Sequence, residues 1–331
     1  MKSAPPGLYD RQSKIRLHRL ASRLRNALRQ VMISRERREG LAMSGLGWMV
    51  LALALLVGVV VAGEWLLARR KGSVRHVMAE RIVLLTMAGG FLGAPFWWRG
   101  DPDAFAWMLP PLAGRMLAAA SWAFAVACLL ALLRPGAAQF RLIGVMLASY
   151  LGPLTFAILL LHLDRFDPAR SVTWSFFATV MLLLPGAAWL ILAFPRSPAE
   201  LTSPMPAQWM PALFGSVAGL WGTVLFIWPA GPVASLWLWP GDALTSRLIA
   251  SMFLTIAAAS WAARGSSRLL VTVMASVFVY GVGVCLAGSV NLAAGKPPPV
   301  AYMVFWAFGA TGAAIFLLMS VLSRRTGKTR L

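Results

Sequence analysis

The side chains able to do chemistry are few, and their positions matter more than their number. The acids are Asp10, Glu36, Glu39, Glu64, Glu80, Asp101, Asp103, Asp164, Asp167, Glu200 and Asp242, and none falls near the middle of an apolar run. Proton- and ion-coupled carriers usually bury an ionisable group on their pathway, so this distribution argues against one. His18 and His76 sit in basic segments and His162 at the end of an apolar run. They offer no converging ligands for haem or a metal. Cys128 and Cys285 are isolated within apolar runs, which suits small packing residues rather than a disulfide or metal site. No HExxH, GxSxG or Walker pattern occurs. The densest polar cluster is His162, Asp164, Arg165, Asp167 and Arg170. A carboxylate pair there is the one place for acid–base catalysis, and a charged loop is the plainer reading. The expectation is a chain without catalytic residues, metal or cofactor, and not an enzyme.

What remains is basic and aromatic. Arg115 and Arg247 each lie near the start of an apolar run, where a long cationic side chain snorkels to headgroups. Trp97, Trp98, Trp107, Trp228, Trp237 and Trp239 lie at run edges. Tryptophan there forms the interfacial belt or, more sharply, an aromatic surface that docks a partner. In the N-terminal segment, Arg16, Arg19, Arg23, Arg25 and Arg29 surround an apolar stripe of Leu17, Leu20, Leu24, Leu28 and Val31. That pattern predicts an amphipathic helix lying on anionic lipid.

These residues are positioned by a chain that is 59% hydrophobic and only 13% charged. A soluble protein cannot hide so much apolar surface, whereas a bilayer removes the need. The net charge of +20 sits in the tails and between apolar runs. Anionic lipid is therefore the expected partner, not nucleic acid. Nine apolar runs are long enough, or nearly so, to cross: 44–67, 82–98, 112–133, 142–162, 172–194, 210–228, 244–263, 269–293 and 300–322. The short, glycine-rich 82–98 is the weakest. The expected fold is an all-α integral membrane protein of about nine transmembrane helices. The organisation reads as a basic arm over 1–42, a first span over 43–68, four helices over 81–196, four more over 209–325, and a basic tail over 326–331.

The last eight runs read as a parallel 4+4 internal repeat. Ala88-Gly89 and Trp98 pair with Ala218-Gly219 and Trp228. Trp107 and Arg115 pair with Trp239 and Arg247 at an offset of 132, and Trp174-x-Phe176-x-Ala178-Thr179 returns as Trp306-x-Phe308-x-Ala310-Thr311 at the same offset. Arg141-Leu142 and Ala148-Ser149 pair with Arg268-Leu269 and Ala275-Ser276 at 127. Four spans per copy give both copies the same orientation, as in some transporters. Gly89-x-x-x-Gly93 and Gly215-x-x-x-Gly219 are expected to bring helices of the bundle together. Pro153 and Pro185 have Tyr280 and Leu317 as counterparts, so any proline kinks belong to one copy.

The segment Trp239-Pro240-Gly241-Asp242-Ala243-Leu244-Thr245-Ser246-Arg247 resembles a Trp-Pro-x-x-x-Leu-Thr-x-Arg pattern in uncharacterised bacterial multi-pass membrane proteins. Trp107-Met108-Leu109-Pro110-Pro111-Leu112-Ala113-Gly114-Arg115 looks like a second, degraded copy. Gly241-Asp242-Ala243 and Met108 depart from the pattern. The resemblance implies a bacterial cytoplasmic membrane and no particular activity.

Basic residues favour cytoplasmic loops. Arg134, Arg141, Arg196, Arg264, Arg268 and the C-terminal Arg324, Arg325, Lys328 and Arg330 fall on one side, which places the C-terminus in the cytoplasm. The segment 69–81 falls there too, and one crossing by 44–67 then puts the basic N-terminal arm outside, against the same rule. The side of the N-terminus stays open. The function expected from these features is an accessory or scaffold subunit of a membrane assembly, with protein partners docking on the tryptophans or the basic arm. The alternatives are a permease or lipid-handling carrier, and an enzyme on a lipid-linked substrate at the 162–170 cluster.

Overall fold

The computed structural model describes residue 58 and residues 73–100, 104–107, 109–196, 209–231 and 242–325, all within one compact unit, Leu55–Leu331. The amphipathic arm, nearly all of the first apolar run, Trp237, Trp239 and the tail 326–331 lie outside these residues.

Among the described residues the architecture is all-helical. Eight helices are long and apolar enough to cross a membrane: α1 Val74–Arg99, α2 Pro111–Leu133, α3 Ala137–Leu161, α4 Ser171–Ala193, α5 Trp209–Ile227, α6 Ala243–Ala262, α7 Ser267–Ala293 and α8 Val300–Arg325. A single 3-10 turn, Leu163–Arg165, follows α3. Helix is the form these runs must take, because lipid offers no partner for a free backbone N–H or C=O. Helix ends are set locally. The Asp242 side chain accepts from Thr245 N at 2.7 Å and starts α6. Gly100, left-handed at φ 73°, ends α1 by donating to Trp97 O.

Seven helices follow the apolar runs to within a few residues. The exception is α1, which begins at Val74 and not at 82. Ser73 caps it, and the polar run Arg75–Arg81, expected as loop, forms its first two turns. Glu80 is therefore inside a helix long enough to span, and it is buried.

Sequential helices pack as hairpins: α1 on α2, α3 on α4, α5 on α6, α7 on α8. Two main contacts join the first four helices to the last four, α2 on α7 and α3 on α6, with a slighter one of α3 on α7. These four helices form the centre. The buried share of their most apolar windows is 67% for α2, 50% for α3, 72% for α6 and 61% for α7, against 44%, 17%, 28% and 28% for α1, α4, α5 and α8. Each hairpin closes over a glycine. Gly90 faces Ser121 and Ala125, Gly144 faces Ala187 and Leu190, Gly222 faces Ala250 and Phe253, and Gly281 faces Trp306 and Ala310. Small residues let two backbones approach, which is how helices adhere where no hydrophobic effect separates them from lipid.

The glycine pairs marked in the sequence divide. Gly215 and Gly219 face Ser260 and Ala257 of α6, as expected. Gly89 faces open space and Gly93 meets only Trp97 of its own helix. Gly90, one residue along, makes the contact to α2. The prolines Pro95, Pro153 and Pro185 lie inside α1, α3 and α4, so all three belong to the first four helices.

Candidate functional sites at the two ends of the bundle

The starts of α1, α3 and α7 meet the ends of α2 and α4 at one end, called here the basic end. Its arginines serve as helix caps. Arg75 donates to Ala193 O at 3.3 Å and Arg141 to Ile191 O at 3.0 Å, so two cations sit on the last carbonyls of α4, where the helix dipole is negative. Arg268, in the first turn of α7, donates to Arg134 O and, at 3.4 Å, to Pro135 O beyond the end of α2. Beside it Gln139, 2% exposed, donates to Arg268 O at 3.4 Å and accepts from Thr272 at 3.2 Å. One turn deeper the single hydroxyl proton of Ser276 lies between Ala123 O (3.1 Å) and Thr272 O (3.2 Å). Deeper still, a Cβ on Gly283 would come within 2.5 Å of the Ala119 Cβ. The α2–α7 seam is thus closed backbone to backbone. An open groove of about 520 Å³ lies between Ser73, Arg75, His76, Ala137 and Phe194, and the His76 ring packs edge-on against Phe140 and Phe194 there.

The opposite end, called the tryptophan end, is built around Trp107. Its indole is 4% exposed and packs against Phe105, Phe166 and Phe176 at centroid distances of 4.3, 5.1 and 5.8 Å. The α1–α2 loop is thereby folded down onto Leu154, Ile158, Leu244 and Leu248. Next to this cluster, Arg247 Nη1 lies 2.6 Å from His162 Nε2, and Arg247 Nε donates to Phe226 O at 3.2 Å. One guanidinium on α6 therefore ties together the ends of α3 and α5. Arginine only donates, so His162 Nε2 accepts and the ring proton is on Nδ1. Burial, and then the Arg247 charge, hold the His162 pKa below its ordinary value. Arg165 acts in the same direction, while Asp164 and Asp242 oppose the shift.

The residues marked from sequence are thus dispersed. Trp107 is in the core, with no face left for a partner. Trp97 is half-buried and donates to Ala104 O at 2.9 Å. Trp98 leans on Trp122. Trp228 is exposed, as are Trp174, Trp209 and Trp261; singly exposed tryptophans at helix ends suit the interfacial belt. Arg115 is half-buried near the start of α2. Of the 162–170 cluster, Asp164 and Arg165 are exposed in the 3-10 turn, and Asp167 Oδ1 accepts from Ala169 N at 2.9 Å, an ordinary turn contact. His162 alone of that cluster points into the bundle contact just described. Cys128 and Cys285 are free thiols.

Sequence reasoning missed three things. It left Glu80 outside the spans. It did not mark Gln139 or Thr272, although two polar side chains near the start of apolar runs were visible signals. It did not connect Tyr280 with Tyr302, whose buried hydroxyls share a hydrogen bond of 2.6 Å. The chain matches no known protein family, no curated protein and no solved structure.

Proposed function

We propose that this chain is an accessory or scaffold subunit of a larger assembly in a bacterial cytoplasmic membrane, without catalytic residues of its own. The observation that carries the reading is the α2–α7 seam. Ala119, Ala123, Ser276 and Gly283 bring the two helices into direct backbone approach, and Arg268 and Gln139 fasten its basic end. A centre packed on alanine, glycine and serine gives rigidity and leaves the outer helices for lipid and partners.

The same contacts support a parallel 4+4 repeat. The second helix of each half packs on the third helix of the other, α2 on α7 and α6 on α3, as a two-fold exchange of halves requires. In this reading the basic end and the C-terminus face the cytoplasm and anionic lipid. The arm over 1–42 and the exposed tryptophans, Trp228 first among them, offer contacts to a partner.

Gentle extraction from the native membrane into nanodiscs, followed by native mass spectrometry, tests the proposal. A protein partner in fixed stoichiometry, lost when Trp228 is replaced by Ala, is the expected result. A lone chain carrying a stoichiometric small molecule would favour the second reading, a permease or lipid-handling carrier. That reading draws on the three prolines confined to α1, α3 and α4, which give the halves different shapes.

A further inference from the structure

We propose that the Arg247–His162 hydrogen bond is an acid-released latch between the tryptophan ends of the two groups of four helices. The geometry is specific. Arg247 stands on α6 of the second group and also holds Phe226 O at the end of α5, whereas His162 ends α3 of the first group. The bond is 2.6 Å long and needs a lone pair on Nε2. Only the neutral imidazole has one. A second proton on His162 removes the acceptor and sets two cations against each other. The bond then cannot persist, and the helices that carry the two groups lose their polar tie.

The other groups that act on His162 are few. From the 3-10 turn come Asp164 and Arg165, and from the start of α6 comes Asp242. Asp242 is already engaged as the helix cap through Thr245 N, and Asp164 is exposed. Both carboxylates favour the imidazolium, but burial and the Arg247 charge outweigh them. Asp167, further along the loop, is bonded to Ala169 N. Below the latch Arg247, Ser251 and Thr255 recur every four residues on one face of α6. Ser251 donates to Arg247 O and Thr255 to Ser251 O, and both hydroxyl residues are fully buried. These hydroxyls carry a polar row from the latch residue into the bundle.

The test uses the whole chain in nanodiscs, with Cys128 and Cys285 replaced by Ala and spin labels on cysteines at positions 160 and 228. Leu160 and Trp228 are both exposed and lie near the ends of α3 and α5. Pulsed dipolar spectroscopy is run at neutral and at mildly acidic pH. The wild-type pair should gain a longer-distance population in acid. H162Q keeps a neutral acceptor at every pH and should hold the short distance throughout. R247Q removes the repelling cation and should be equally insensitive to acid, which covers the case in which H162Q fails to fold. An unchanged wild-type distribution in acid would overturn the proposal, as would a variant that lengthens as the wild type does.

Discussion

The two ends of the bundle are fastened by different chemistry. At the basic end, arginines and an amide bond backbone carbonyls: Arg268 to Arg134 O and Pro135 O, Arg141 to Ile191 O, Gln139 to Arg268 O. None of these acceptors titrates. At the tryptophan end, an arginine of the same kind bonds a histidine, the one side chain whose ordinary pKa lies close to neutrality. The difference teaches that a clasp made from backbone acceptors is permanent across the physiological pH range, whereas a histidine acceptor makes the clasp conditional. Between the ends, the α2–α7 seam is held by packing and by one serine, and it has no such dependence.

Substitutions can break or sharpen this contrast. The largest effect is expected from Trp107→Ala. Emptying the indole pocket among Phe105, Phe166 and Phe176 should cost about 3 kcal/mol of stability, read by reversible unfolding in mixed micelles. A loss under about 0.5 kcal/mol, the range of ordinary surface changes, would mean that the loop is not held by this packing. Gly283→Val drives a side chain into Ala119 and should cost about 2 kcal/mol, as overpacking does. Wild-type stability in that variant would show the seam to be looser than described. Arg268→Ala removes the donor to two carbonyls and should cost about 1–2 kcal/mol, equally at neutral and mildly acidic pH. A cost that varies with pH in that range would dissolve the contrast between the ends.

His162→Gln should change stability least at neutral pH, but it should change the pH dependence. The folded chain holds His162 below its ordinary pKa. On acidification the unfolded chain therefore takes up a proton that the folded chain resists. This contribution is fully present above the ordinary histidine value of about 6.5 and is lost as pH falls from there through the lowered folded value. In His162→Gln that component should be absent. Identical stability–pH curves for variant and wild type would contradict the assignment.

The sequence made most of the spans legible because hydropathy and helix length are the same signal in a bilayer. Its error at α1 has a physical cause. Arg75, His76, Glu80 and Arg81 break the apolar run, yet Ser73 caps the helix and Arg75 bonds the end of α4, so the polar turns are helical. Trp107 shows a second limit. A tryptophan at a run edge reads as interfacial, and only the fold-back of its loop onto Phe166 and Phe176 buries it. Trp174 and Trp306, paired by the repeat pattern, end up exposed and fully buried respectively. Composition did not carry that distinction, because it depends on which neighbour covers each face. His162 was visible in the sequence, but within a charged loop. Its partner Arg247 lies 85 residues away, and its place near the start of an apolar run reads as a headgroup contact.

The most direct test of the account is the closure of the central seam. Cysteine replaces Ser276 and, separately, Ala123, in a background where Cys128 and Cys285 are Ala. Each is then exposed to a membrane-impermeant maleimide from either side of oriented vesicles, with exposed Trp228→Cys as the labelled control. The account predicts no labelling of positions 276 and 123 from either side, at neutral or acidic pH, because the latch frees only the tryptophan end. Labelling of either position from one side, and more so from both in turn, would contradict a packed scaffold and point to a water-accessible path between the halves.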